Sequence, residues 1–155
     1  MRLTDVLSEA TIKVPLEGAD KESIVRELID VVSFGKSQAV KDAVYQSVLE
    51  REELMSTGIG EGIALPHGSA PEGMAFVAVL GIPSAPVDFE AIDGRPVRLI
   101  FLLLSDEANN MVKMKALARI SRLLHCAEFR AALAEARSPS DAMQVIADEE
   151  ARHRI

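Results

Sequence analysis

Val97-Arg98-Leu99-Ile100-Phe101-Leu102-Leu103-Leu104 is apolar at both parities, with Arg98 the one exception. A strand with one wet face alternates in polarity. A strand apolar throughout is covered on both faces, so this segment is predicted to be central in its sheet. Ala75-Phe76-Val77-Ala78-Val79-Leu80-Gly81-Ile82 reads as a second strand, ended by Pro83 and Pro86. Between the two, Asp93-Gly94-Arg95-Pro96 is turn chemistry.

A strand covered on both sides needs helices above and below it, and the flanking sequence supplies them. Asp20 caps a predicted helix to about Phe34, with Ile24, Leu28 and Val32 at i, i+4 and i+8 and Gly35 just past its end. Ser37 caps a second helix, apolar at Ala39, Val40, Ala43, Val44, Val48 and Leu49. It is expected to fray in the charged run Glu50-Arg51-Glu52-Glu53. The last third is helical. Met114, Leu117, Ala118, Ser121 and Leu124 trace its expected apolar stripe, flanked by Ile120 and Leu123 and opposed by Lys115, Arg119 and Arg122. Phe129 and Leu133 belong to a short helix, and Ser138-Pro139 opens a final one carrying Met143 and Ile146. The prediction is an α/β domain of layered α+β character: a small mixed sheet of about five strands with helices on both faces. Residues 1–150 form the domain and 151–155 a frayed tail.

Composition narrows the function. The chain has 155 residues, the size of one domain. It is 48% apolar and 26% charged, which is ordinary for a globular protein. A net charge of −7 lacks the basic footprint of a nucleic-acid binder. No apolar run reaches the roughly 18 residues of a membrane span, and no signal peptide is visible, so membrane insertion is not expected and the cytoplasm is the expected location. Cys126 is the one cysteine, which excludes an internal disulfide and a cysteine-rich metal site.

Ser56-Thr57-Gly58-Ile59-Gly60-Glu61-Gly62, followed by Ile63-Ala64-Leu65 and Pro66-His67-Gly68, is the segment with chemistry in it. Its three glycines in five residues read as a shaped loop. No lysine follows Gly62, so it is not a P-loop, and the Gly58-x-Gly60-x-Gly62 spacing is not the dinucleotide fingerprint. His67, His125 and His153 are isolated, so no metal or cofactor is expected. There is no Gly-x-Ser-x-Gly elbow. What remains is His67 as a nucleophile, since neutral imidazole is available near pH 7 at an unperturbed pKa of about 6.5. Gly68 would let a partner approach closely, and the Gly58–Gly62 loop with the Ser56 and Thr57 hydroxyls offers donors to a phosphoryl oxyanion. A turn or core role is the competing reading of a lone His after Pro.

Ser56 to Gly68 resembles the phosphorylation-site signature of the fructose/mannitol/nitrogen-type enzyme IIA domains of the bacterial phosphotransferase system. Leu49-Glu50-Arg51-Glu52 sits where that family has an arginine near its active histidine. Pro86 to Val97 is similar to the loop before the family's central strand, and Leu117 to Leu124 to its following helix. The resemblance implies that His67 accepts a phosphoryl group from the phosphocarrier HPr or a nitrogen-branch HPr. It implies that Arg51 pairs with that group, that Thr57 and nearby N–H groups, Gly58 among them, complete the cradle, and that Ser56 contributes less. Many members carry a second histidine beside the active one. Here Lys113 stands at that position, a charge without an imidazole. The competing reading of Arg51 is an ion-pairing residue on an exposed helix end, and of Lys113 an ordinary solvated lysine.

Two functions share this chemistry. One is a regulatory, nitrogen-type phosphoryl carrier that binds a target protein according to its phosphorylation state. The other is a relay to a IIB domain in the uptake of fructose, mannitol or a similar sugar. The lack of a fused IIB portion and the lysine at 113 favour the regulatory reading. HPr is expected to dock on an apolar rim around His67 that includes Ile59, Ile63 and Met55.

Overall fold

The computed structural model describes residues 2–32, 37–54, 56 and 58–153. Its elements, in chain order, are α1 (Leu3–Val6), β1 (Ile12–Leu16), α2 (Lys21–Val31), α3 (Gln38–Leu54), β2 (Gly58–Gly60), β3 (Ile63–Ala64), β4 (His67–Ser69), β5 (Phe76–Pro83), β6 (Leu99–Ser105), α4 (Asn110–Leu123), α5 (Ala127–Ala134) and α6 (Pro139–Arg152). The sheet has six strands in the order β1-β5-β6-β3-β2, with β4 also paired to β6.

β6 is central, as its composition demands: all seven residues are buried. Alternation sends Leu99, Phe101 and Leu103 to one face and Ile100, Leu102 and Leu104 to the other. The first face packs against α1, α4, α5 and α6, through Leu3, Ala116, Ile120, Phe129, Leu133 and Ile146. The second packs against α2 and α3 through Ile24, Leu28, Val44 and Val48, with Val87, Phe89 and Val97 closing its edge. β5 runs antiparallel to β6, while β1 is parallel to β5. β3 and β4 add to β6 in succession, both parallel to it. The mixed sheet with helices on both faces is therefore as read from sequence.

Several details differ from expectation. The glycine loop is a hairpin: β2 and β3 pair antiparallel. Its turn runs through Gly60, Glu61 and Gly62, all left-handed at φ 99°, 57° and 78°. Only glycine adopts that conformation without strain, and Glu61 is held there by its N–H on Asp93 and its carboxylate on Arg130. α3 does not fray in its charged run. Its Glu52 is buried and ion-paired at 3.1 Å with Lys21 of α2. α4 is rotated from the stripe expected of it: Lys113, Ala116, Ile120 and Leu123 are buried, whereas Met114 is 51% exposed. α6 continues to Arg152, so the first two residues of the expected tail are helical. Asp20 and Ser138 cap their helices as expected, accepting from the Ser23 and Asp141 N–H groups. The expected positions of Phe34 and Gly35 lie outside the described residues.

Candidate functional site

His67 is the first residue of β4 and lies beside Leu103 of β6. The carbonyl of Pro66 accepts from the Leu103 N–H at 3.0 Å, which fixes the register. Pro66 has no N–H to continue a ladder, so it divides the run into β3 and β4 while its carbonyl still holds the chain to β6.

His67 Nδ1 lies 2.8 Å from the Leu65 carbonyl oxygen. A carbonyl can only accept, so Nδ1 carries the proton and donates it. The neutral ring then has its lone pair on Nε2, the atom left to attack. Burial of the ring pushes its pKa below the ordinary value. The Leu65 hydrogen bond works against that shift, the charges of Arg51 and Lys113 add to it, and Glu52 opposes it. The net direction favours the unprotonated, nucleophilic form at neutral pH. The orienting group is a backbone carbonyl, which no residue-type signal in the sequence marks.

Lys113 is brought to the same place from the other side of the sheet edge. It points inward from the first turn of α4, only 9% exposed, with Nζ 3.4 Å from the Gly68 carbonyl oxygen. Desolvation lowers its pKa. Solvated-lysine behaviour is thus not what this geometry gives. Arg51 comes from the last turn of α3, where its charge reaches His67. Two cations from two helices therefore converge on one imidazole, an arrangement suited to a group that acquires about two negative charges.

Other expectations need correction. Gly68 does not leave room for a partner: a Cβ there would lie 2.8 Å from Val48 Cγ2 and 3.0 Å from the Val48 nitrogen. The missing side chain lets α3 lie directly on β4. Gly58 is buried, and its N–H already donates to Ser56 Oγ at 3.0 Å, so it offers no unpaired donor. A Cβ on Gly58 would lie 2.9 Å from Ala91, so this glycine too serves close packing. Ser56 Oγ in turn donates to the Phe89 carbonyl at 2.8 Å and staples the loop. Ile63 is in the core, 3% exposed, and cannot belong to a docking rim. Thr57 and Met55 lie outside the described residues. Among the described residues no group of three His, Cys, Asp or Glu converges as metal ligands, and no helix is long and apolar enough to cross a membrane.

The model of the EIIA 2 family of the phosphoenolpyruvate-dependent sugar phosphotransferase system matches residues 5–149, and the chain belongs to that family. Among relatives, it is 37% identical over 124 residues to a nitrogen regulatory protein of Bradyrhizobium diazoefficiens, covering 80% of each chain. It is 34% identical over 146 residues to the fructose-specific EIIABC component of Bacillus subtilis, covering 94% of this chain. The chain spans about a quarter, 23%, of the length of that relative. The crystal structure of the nitrogen regulatory protein IIA-Ntr from Neisseria meningitidis superposes with a TM-score of 0.83 at 25% identity, covering 93% of this chain and 98% of that one. The protein is an EIIA phosphoryl carrier with nitrogen regulatory homologues, and EIIA domains are phosphotransferase components.

Proposed function

We propose that His67 Nε2 accepts the phosphoryl group of phospho-HPr or a nitrogen-branch HPr, and that the phosphorylated state governs binding to a regulatory target. The observation that carries this reading is the 2.8 Å contact from Nδ1 to the Leu65 carbonyl, which leaves Nε2 as the nucleophile. As the Nε2–P bond forms, the donor's N–P bond breaks and its electron pair returns to the donor nitrogen. The Nδ1 proton stays on His67, where the Leu65 carbonyl supports the ring's developing positive charge. Arg51 and Lys113 face the phosphoryl oxygens.

The docking rim is drawn by exposure. Leu54, Ile59, Ile92, Met111 and Met114 are the large apolar side chains exposed among the described residues. Leu54 ends the helix of Arg51. Ile59 follows Gly58, and Ile92 donates its N–H to the Gly58 carbonyl. Met111 and Met114 flank Lys113 on α4. Exposed apolar side chains of this kind fit a transient protein partner.

A sugar-uptake relay to a IIB domain is the second reading, favoured by the fructose-specific relative. Lys113 argues for the regulatory one. A fixed cation holds a phosphoryl group well, whereas a relay must release it quickly.

Intact mass after incubation with phosphoenolpyruvate, enzyme I and HPr tests the chemistry. Wild type should gain one acid-labile phosphoryl group and His67→Ala none. No gain with either HPr would refute the carrier reading of His67. Rapid loss of the group to an isolated IIB domain would favour the relay.

A further inference from the structure

A cavity of about 830 Å³ opens beyond the carboxyl ends of β4 and β6, against the start of α4. His67 does not line it, but two of its walls connect to the histidine. Ser69 is two residues further along β4, and Ser105, its partner on β6, is two residues beyond Leu103. Alternation puts Ser105 on the sheet face of Phe101 and Leu103, the face that α4 covers. Lys113 reaches in from that helix.

The polar groups of this cavity are unusual. Ser105 is 2% exposed, and its hydroxyl oxygen has no hydrogen-bond partner among the described residues. A buried hydroxyl in that state costs about 1–3 kcal/mol, so a stable fold keeps one where something else satisfies it. Lys113 is a buried ammonium whose one hydrogen bond among the described residues is the long contact to the Gly68 carbonyl. Asp106 also lines the cavity, but its carboxylate is already committed to other donors. It accepts from Asn109 and from the Gly73 and Ala75 N–H groups, both residues being left-handed. Glu72 and Glu107, by contrast, stand exposed at the mouth and pair with no cation among the described residues.

One buried cation and one unpartnered buried hydroxyl thus line the cavity, with Glu72 and Glu107 as its exposed, uncommitted carboxylates. A plain anion would have to pass those carboxylates on a protein of net charge −7. A zwitterion meets complementary charge at both ends. We propose that this cavity binds a free α-amino acid, its carboxylate on Lys113 and the Ser105 hydroxyl and its ammonium between Glu72 and Glu107.

Such a ligand is coupled to His67. A carboxylate that engages Lys113 draws that cation from the phosphoryl group, so amino acid and phosphoryl group compete for one charge. The weakening is equal in both directions, as linkage requires. This coupling rests on His67 being the phosphoryl acceptor; the binding itself does not.

The test is an NMR chemical-shift titration of the unphosphorylated full chain with each of the twenty free amino acids. Matched N-acetyl and carboxamide derivatives, acetate and inorganic phosphate serve as the other arms. At least one free amino acid should shift Ser69, Ser105 and Asn110 with micromolar to millimolar affinity. Its N-acetyl and carboxamide forms should bind at least about tenfold more weakly, and Ser105→Ala should cost about tenfold. Glu72→Gln with Glu107→Gln should cost severalfold, and these variants should still be phosphorylated by HPr. No shift at about 10 mM, tenfold beyond millimolar affinity, overturns the proposal. So does equal binding of acetate, phosphate or the N-acetyl form, which would make this a simple anion site. Repeating the titration on the phosphorylated chain reads the coupling, and an unchanged affinity there refutes it. A chain that HPr cannot phosphorylate would sink the carrier role while the unphosphorylated titration still reports on the cavity.

Discussion

Replacing Gly68 by alanine adds one carbon, and the structure says where that carbon goes. It would lie 2.8 Å from Val48 Cγ2, 3.0 Å from Ser47 Oγ and 3.0 Å from the Val48 nitrogen. Contacts under about 3.4 Å between such atoms are repulsive, and none of these neighbours can turn away freely. Val48 is fully buried, Ser47 Oγ accepts from the Ser69 N–H at 2.8 Å, and the nitrogen is helix backbone. α3 must therefore withdraw from β4. Overpacking of this kind costs about 1–3 kcal/mol, which for a chain of this length lowers Tm by about 2–12 °C. The displacement also travels. Arg51 is one turn along the same helix from Val48, so the phosphorylation rate should fall beyond what unfolding explains. Thermal unfolding measured beside HPr-dependent phosphorylation, both below the transition, separates the two effects. Val48→Ala alone costs about 2 kcal/mol by leaving a cavity, yet it removes the closest clash. The double variant should therefore fall short of the summed losses by about 1 kcal/mol or more. Strict additivity, or a Gly68→Ala variant as stable as wild type, would refute the account of this glycine.

Other outcomes follow from the same geometry. Because the folded His67 pKa lies below its unfolded value, the unfolded chain binds more protons below about pH 6.5. Stability should hold above that pH and decline as pH falls toward the folded value, and urea midpoints of His67→Gln should show a shallower decline. Lys113→Met should lower the phosphorylation rate about tenfold, ~1.4 kcal/mol at the transition state, while leaving Tm unchanged or raised because a buried charge is gone. A loss of both rate and stability would mark Lys113 as a merely structural residue. Ile59→Glu should leave Tm within about 2 °C, as expected of a surface change, and raise the KM for phospho-HPr more than it lowers kcat. Unchanged kinetics would remove Ile59 from the docking rim. Glu150→Ala should be strongly destabilising, by about 3 kcal/mol, since this buried carboxylate receives the Leu3 and Thr4 N–H groups and Arg119. A stability loss of less than about 1 kcal/mol by urea unfolding would refute that.

What could be read from the sequence was what local pattern encodes. β6 is apolar on both parities because it is covered on both faces, and that alone placed it at the centre. The signature around His67 is contiguous, so it was visible without the fold. Several of the errors involve contacts between distant parts of the chain. Gly68 looked like an opening because Val48 is twenty residues away. Glu52 looked solvated because Lys21 lies in another helix. α4 was rotated because a lysine at 113 reads as polar, and only the site it faces explains its burial. β1 was not anticipated: Ile12-Lys13-Val14-Pro15-Leu16 does alternate, with Ile12, Val14 and Leu16 apolar, but it is short and carries a proline. The hydrogen bond that orients His67 comes from a main-chain carbonyl, which carries no letter in the sequence.

On the proposed carrier reading, the attachment of His67 to β6 limits how a phosphoryl group there could signal. Pro66 and Leu103 fasten the histidine to the most deeply enclosed strand of the molecule, and α3 is seated against the next residue without a gap. There is little slack through which a phosphoryl group could move the scaffold. The two states of this carrier should therefore have nearly superimposable backbones and differ in surface potential and in where one lysine points. A partner that distinguishes them must feel the field at the rim, so its discrimination should fade as salt shortens the reach of that field.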